Sequence, residues 1–203
     1  MKKPAIFIDR DGTVNEQMGY INHLDRFRIL PGVPEAIKLI NKNNFLAIIV
    51  TNQSGIARGY FPISLVYDIH SYLKESVARY GAYIDGIFFC PHYPRGKVSE
   101  YTKECGCRKP GTGLINQACE SFDIDMSRSY VIGDHYTDLE LANRCNIKGI
   151  MVKTGYGLGE VSYIVPQMSK GPDYIAEDLL DAVKWIINKD VSPKITTSKN
   201  TKS

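Results

Sequence analysis

The chain has 203 residues, 43% of them hydrophobic and 23% charged, with a formal net charge of +3. Those values belong to an ordinary globular protein and exclude a disordered or membrane-embedded chain. Lys194, Lys199 and Lys202 lie in the last stretch, 190–203, against one acid, so the body is almost neutral and has no nucleic-acid footprint.

MKKPAIFIDRDG at the N-terminus meets Asp9 too soon to be an export signal, and the longest apolar run, FLAIIV at Phe45–Val50, is far short of a membrane span. A cytoplasmic protein is expected. In chain order, strands are predicted at Ala5–Asp9, Leu46–Asn52, Gly86–Cys90, Tyr130–Asp134 and Lys148–Val152, with a short one at Asp173–Ile175. Helical stretches fall between and after them at Val33–Asn43, Ser64–Tyr80, Gly113–Phe122, Thr137–Cys145 and Glu177–Lys189. Near-continuous apolar runs such as AIIV suit strands buried on both faces, and β/α alternation implies right-handed crossovers. The fold class is therefore α/β, a Rossmann-like parallel sheet with helices on both faces. One domain is expected over 1–189, followed by a polar, aperiodic stretch at 190–203 that reads as a disordered tail.

Chemistry-bearing residues collect where strands end, the place at which open parallel sheets bind ligands. The first strand runs into Asp9 and Asp11, the second into TNQSG at Thr51–Gly55, and the fourth into GDHYTD at Gly133–Asp138. RKP at Arg108–Pro110 leaves a long loop just before a helix. Crowded carboxylates repel unless a cation lies among them. Asp9 and Asp134 suit Mg²⁺, a hard dication that takes a few protein oxygens and keeps positions for water and phosphate. Lys109 supplies a second positive charge.

Five cysteines make an odd number, which argues against a disulfide framework. Cys90 and His92 in CPH, with Cys105 and Cys107 in CGC, form a Cys₃His set with the tetrahedral ligand number of structural zinc. Such a site would pin the loop 90–107 and present Arg108 and Lys109. Cys119 and Cys145 lie in helical pattern and are expected in the core.

DRDGT at Asp9–Thr13, Thr51, Lys109 and the Asp134/Asp138 pair resemble the four motifs of the haloacid dehalogenase superfamily, from about Ala5 to Gly155. The resemblance implies a phosphatase with Asp9 as nucleophile and Asp11 as general acid/base, Asp11 also offering Mg²⁺ its backbone carbonyl. It implies that Thr51 and Lys109 hold the phosphoryl oxygens. The wider set of DRDGTVN, Gly19–Tyr20, TNQSGIARG at Thr51–Gly59, CPH and CGCRKP is similar to the zinc-bearing, histidinol-phosphatase-like branch. By that likeness Asn15, Gly19, Tyr20, Asn52, Gln53, Ser54, Arg58 and Arg108 are expected to bind substrate. The substrate expected is a sugar bisphosphate, specifically a heptose bisphosphate, with histidinol phosphate as the alternative. His135 departs from the lysine often found after the motif aspartate. The gaps after Thr13 and Gly59 leave no room for a large cap. The expected partner is this small molecule alone, with no nucleic acid or membrane, and the chain is expected to be a monomer.

Overall fold

A computed structural model describes residues 2–191. Six parallel strands form one sheet: β1 (Ala5–Ile8), β2 (Leu46–Asn52), β3 (Gly86–Cys90), β4 (Tyr130–Gly133), β5 (Lys148–Val152) and β6 (Tyr174–Ala176). Their order is β3-β2-β1-β4-β5-β6. The chain builds outward from β1 to one edge, then returns to β4 and builds to the other. The switch point therefore lies between β1 and β4, where ligands of this architecture bind. Ile8 lies level with Ile49 on β2 and Ile132 on β4, which brings the carboxyl ends of all three strands together.

Every residue of β1 is buried, as the unbroken apolar run requires of a strand covered on both faces. Ile6 and Ile8 face one core, beneath α1 (Val33–Lys42), α2 (Ile63–Ala78) and α6 (Leu179–Val191). Ala5 and Phe7 face the other, beneath α3 (Gly113–Ser121) and α4 (Tyr136–Arg144). In α1 the buried residues Val33, Ala36, Ile37 and Ile40 fall at helical spacing, so one stripe meets the sheet. Cys119, expected in the core, is exposed, and Cys145 is half-buried.

Predicted and observed elements differ mainly at their ends. β6 is displaced by one residue, and α6 runs to Val191, so the expected tail begins inside a helix. The rest of that expected tail, 192–203, lies outside the described residues. Between β5 and β6 the chain forms helical turns that the sequence pattern does not predict: a short α5 (Gly157–Gly159), a π-helical turn at Glu160–Ile164 and a 3₁₀ turn at Val165–Gln167. Among the described residues, no large cap domain interrupts the sheet. Among the described residues, no helix is long and apolar enough to cross a membrane.

Candidate active site

A cleft of about 530 Å³ opens over the carboxyl ends of β1, β2 and β4, lined by residues that include Asp9, Asp11, Thr51, Lys109, Asp134 and Asp138. β1 ends at Ile8, and the Asp9 amide donates to the Ile132 carbonyl at 2.9 Å, which seats Asp9 beside β4. Lys109 comes from the other side, its Nζ 2.5 Å from Asp9 Oδ1 and 2.6 Å from Asp138 Oδ1. Its loop is fixed by Asn52, whose side chain accepts from the Lys109 amide at 3.0 Å and donates to its carbonyl at 3.2 Å. Asp138 has two tasks: it pairs with Lys109, and its Oδ2 accepts from the His135 amide in the capping box of α4.

Asp9 and Asp11 have opposite surroundings. Burial pushes Asp9 up to about 6, with Lys109 pulling the other way and Asp138 and Asp11 adding repulsion. Asp11 is held below the usual carboxylate range because Arg10, Asn15 and Gln53 outweigh the burial that raises it. Arg10 Nη2 donates to both Asp11 oxygens, at 2.9 and 2.8 Å, while Asn15 and Gln53 donate at 3.0 and 2.7 Å. Arg10 is almost wholly buried, and its Nη1 lies 3.2 Å from His70 Nε2. An arginine can only donate there, so the histidine accepts at Nε2 and carries its proton on Nδ1. Burial, reinforced by Arg10, pushes His70 down to about 3, which keeps it neutral.

Asp134 is almost wholly buried. Burial, with repulsion from Asp9 and Asp138, pushes it up to about 8. Its Oδ2 accepts from the Tyr156 amide at 2.8 Å. A Cβ placed on Gly12 or Gly155 would collide with that carboxylate, and both glycines hold positive φ, so the backbone wraps it closely from two sides. One carboxylate oxygen from each of Asp9, Asp134 and Asp138 lies within 4.8 Å of the others. Both Asp138 oxygens are engaged, Oδ1 by Lys109 and Oδ2 by the His135 amide, whereas Lys109 meets Asp9 at Oδ1 alone and Tyr156 meets Asp134 at Oδ2 alone, which leaves Asp9 Oδ2 and Asp134 Oδ1 as hard-oxygen donors that fit Mg²⁺.

The second cluster is made of soft ligands. Cys90, His92, Cys105 and Cys107 bring their ligand atoms within 4.8 Å of one another. Cys107 Sγ lies 3.2 Å from Cys90 Sγ, 3.3 Å from Cys105 Sγ and 3.3 Å from His92 Nδ1. Three thiols and an imidazole at such spacing fit a tetrahedral zinc. Among the described residues no second group of this composition exists.

The substrate-binding expectations divide. Gly19, Tyr20, Asn52, Ser54 and Arg108 line the cleft. Asn15 is fully buried, and with Gln53 it stands behind Asp11 as a hydrogen-bonding support, away from the cleft wall. Gln53 also donates to Thr51 Oγ1 at 3.0 Å, which links two motif residues. Arg58 is set back too, its guanidinium 3.6 Å from the centre of the Tyr93 ring. His135 sits on the wall, with Nδ1 3.4 Å from the Thr137 amide and Nε2 3.6 Å from Glu160 Oε1. Sequence reasoning misses Arg10, His70 and Glu160. The one available signal is Arg10, a basic residue between two aspartates that need a cation.

A family model described as HAD-hydrolase-like matches residues 106–182. Fold, strand-end carboxylates and the buried lysine together define a phosphoric monoester hydrolase of the haloacid dehalogenase type. The D-glycero-D-manno-heptose-1,7-bisphosphate 7-phosphatase of Thermosynechococcus vestitus is 42% identical over 192 residues, 92% of this chain and 96% of its own. The Escherichia coli D-glycero-beta-D-manno-heptose-1,7-bisphosphate 7-phosphatase is 37% identical over 179 residues, 88% of this chain and 91% of its own. A crystal structure of D,D-heptose 1,7-bisphosphate phosphatase from B. bronchiseptica, complexed with magnesium and phosphate, matches with a TM-score of 0.81 and 29% identity. That match covers 93% of this chain and 99% of the other. The chain belongs to the D,D-heptose 1,7-bisphosphate phosphatase family of the haloacid dehalogenase superfamily.

Proposed function

We propose that the chain removes the 7-phosphate of D-glycero-D-manno-heptose 1,7-bisphosphate by way of an aspartyl-phosphate on Asp9, in the supply of ADP- or GDP-heptose precursors for lipopolysaccharide. The observation that carries this reading is the meeting of Asp9, Asp134 and Lys109 at one switch-point cleft with Arg108 on its wall. Relatives that span nearly the same length and bear this activity in their names support the choice of substrate.

Asp9 attacks phosphorus and the sugar oxygen leaves, so one hard hydrolysis becomes two easier displacements. Mg²⁺ held by Asp9, Asp134 and the Asp11 carbonyl would neutralise charge on the transferring phosphoryl oxygens. Lys109 and the Thr51 hydroxyl bind those oxygens from the protein side as charge spreads over them. Asp11 donates a proton to the leaving oxygen and later takes one from the attacking water. While Arg10, Asn15 and Gln53 hold it, Asp11 is a carboxylate fit only to accept a proton. The acid half of the cycle therefore requires Asp11, on the cleft wall, to release its contact with Arg10. Cys90, His92, Cys105 and Cys107 would hold zinc with all four positions taken by protein, and such an ion would fix the loop that carries Arg108 and Lys109.

The test is a phosphate-release comparison of the heptose bisphosphate with histidinol phosphate, whose far end is a cationic amine and meets Arg108 with like charge. Expected is a kcat/KM ratio of at least ~100, about 2.7 kcal/mol of discrimination, narrowed by Arg108→Ala. Equal turnover of the two, or an equal slowing of both by Arg108→Ala, removes the heptose assignment.

A further inference from the structure

Three arginines meet at one tyrosine beside the cleft. Arg58 Cζ stands 3.6 Å and Arg108 Cζ 5.6 Å from the centre of the Tyr93 ring, and Arg95 Nη2 lies 3.5 Å from the Tyr93 hydroxyl. None of the three forms an ion pair with a carboxylate among the described residues. Arg58 Nε and Arg108 Nη1 are moreover buried without any hydrogen-bond partner. Like charges gathered without a counter-ion, with N–H groups left unpaired, are costly unless the place serves an anion. An aromatic face offsets part of that repulsion by attracting the guanidinium.

Of these groups only Arg108 lines the cleft. Tyr93 and Arg58 are not among its lining residues and stand at a seam between two segments of chain. The amides of Lys97 and Val98 both donate to the Ala57 carbonyl, at 2.7 and 3.0 Å, and Gly96 packs so close to Ala57 that a Cβ there would collide with its backbone. Arg58 follows directly on Ala57, and Tyr93 follows His92 of the thiol–imidazole cluster. The seam thus joins the turn after β2 to the loop that carries Arg108.

We propose that Tyr93 is a positioning residue for substrate selection: its ring, packed against Arg58, aims the Arg108 guanidinium on the cleft wall so that it meets a phosphate group distant from the one transferred. The inference rests on the reading that the substrate is a bisphosphate. Tyr93 touches no reacting atom in this scheme and acts through Arg108 alone. Its loss therefore weakens the grip on the distal phosphate and leaves the chemistry at Asp9 intact.

The experiment measures kcat and KM for heptose 1,7-bisphosphate and heptose 7-phosphate, with zinc content and melting temperature recorded for each variant. Tyr93→Leu is expected to raise KM for the bisphosphate about 10-fold, to change kcat less than about 2-fold, and to leave the monophosphate constants in place. Tyr93→Phe, which keeps the ring, retains the wild-type KM. Arg58→Met reproduces the Leu phenotype, and the double variant is no worse than either single one, because both act on one element. Should Tyr93→Leu fail to fold or lose zinc, Arg58→Met decides alone by the same bisphosphate-only rise in KM. An equal loss on both substrates, or an unchanged KM in Tyr93→Leu, overturns the role of Tyr93 while the wild-type preference for the bisphosphate stands. A wild-type enzyme that treats the two substrates alike overturns the bisphosphate reading and this inference with it.

Discussion

Two groups of side chains that could each hold a metal ion meet the segment around Lys109, and they are built on opposite principles. The thiol–imidazole group belongs to one loop and to the end of β3, is only partly buried, and offers four soft ligands that complete a tetrahedron. The carboxylate group is drawn from the ends of two different strands and from α4, is deeply buried, and is left with two hard ligands once Lys109 and the His135 amide have taken both oxygens of Asp138. A closed soft set fixes the shape of a loop. An incomplete hard set keeps positions for water and phosphate. The lysine between them draws on both, since its backbone comes from the pinned loop while its ammonium lies against the two aspartates.

Breaking the carboxylate side has the largest expected effect. Asp9→Asn should lower kcat by about 10⁴-fold or more, roughly 5.5 kcal/mol, and yield no covalent phosphate. Asp11→Asn should still accumulate a slowly decaying phospho-enzyme, detectable by intact mass or by ³²P labelling. Label on a residue other than Asp9 would refute the assignment.

Breaking the thiol side should act on stability in place of chemistry. Cys107→Ser removes one of four ligands, and a loss of about 4 kcal/mol is expected for a damaged structural metal site. For a chain of this size that corresponds to a fall in melting temperature of roughly 8–16 °C. Single-turnover rates at saturating substrate should change little, while KM rises as Arg108 loosens. A zinc-free protein with an undisturbed melting curve and full activity would show the two regions to be independent.

The carboxylate side also rests on a support with its own signature in pH. His70 stays neutral in the fold, with its pKa pushed down to about 3 by burial and by Arg10, whereas the unfolded chain protonates it near its ordinary value. Between those limits the unfolded state binds more protons, so stability falls as pH falls. From pH 7 to pH 4 this one group should remove about 3 kcal/mol. His70→Gln, whose amide oxygen still accepts from Arg10, should flatten the acid limb of a denaturation series by that amount. An unchanged limb would mean that His70 titrates freely.

How much of this the sequence discloses depends on the range of the interaction. The strands are legible because AIFI and LAIIV are buried on both faces, and the motif residues because they stand where those strands end. The Cys₃His set is legible from ligand type and spacing alone. Arg10 is not, because an arginine among charged neighbours reads as exposed, and only the fold shows it walled in by Asp11, His70 and Phe27. Asn15 and Gln53 fall within motifs and so read as substrate ligands, yet in the fold their amides donate to Asp11, the Glu16 carbonyl and Thr51 Oγ1. The helical turns from Gly157 to Gln167 have no amphipathic period to betray them. Their place near the site depends on long-range contacts, such as the Glu160 carboxylate accepting from the Tyr136 amide at 2.9 Å.

The smallest expected effect sharpens the contrast between hard and soft sites, because it concerns competition between a metal and a proton. Without metal, burial and the neighbouring Asp9 and Asp138 charges push Asp134 up to about 8 and hold a proton on it at neutral pH. Mg²⁺ needs that oxygen deprotonated, so below about pH 8 binding must first displace the proton. With the pKa raised, the proton leaves as pH rises, and Mg²⁺ affinity should therefore rise with pH and level off above about 8. Between pH 6.5 and that plateau the expected gain is about 30-fold, or about 2 kcal/mol. Asp9, pushed up to about 6, adds a smaller increment at the acid end. Calorimetric titration of the metal-free aspartate site with Mg²⁺, zinc left in place, reads this directly, since about one proton should be released per ion at pH 6.5 and almost none at pH 9. Asp134→Asn, which carries no proton to displace, should weaken binding at every pH and abolish the slope. An affinity independent of pH in the wild-type protein would mean that Asp134 is already ionised before the metal arrives, with Lys109 alone holding the cluster together.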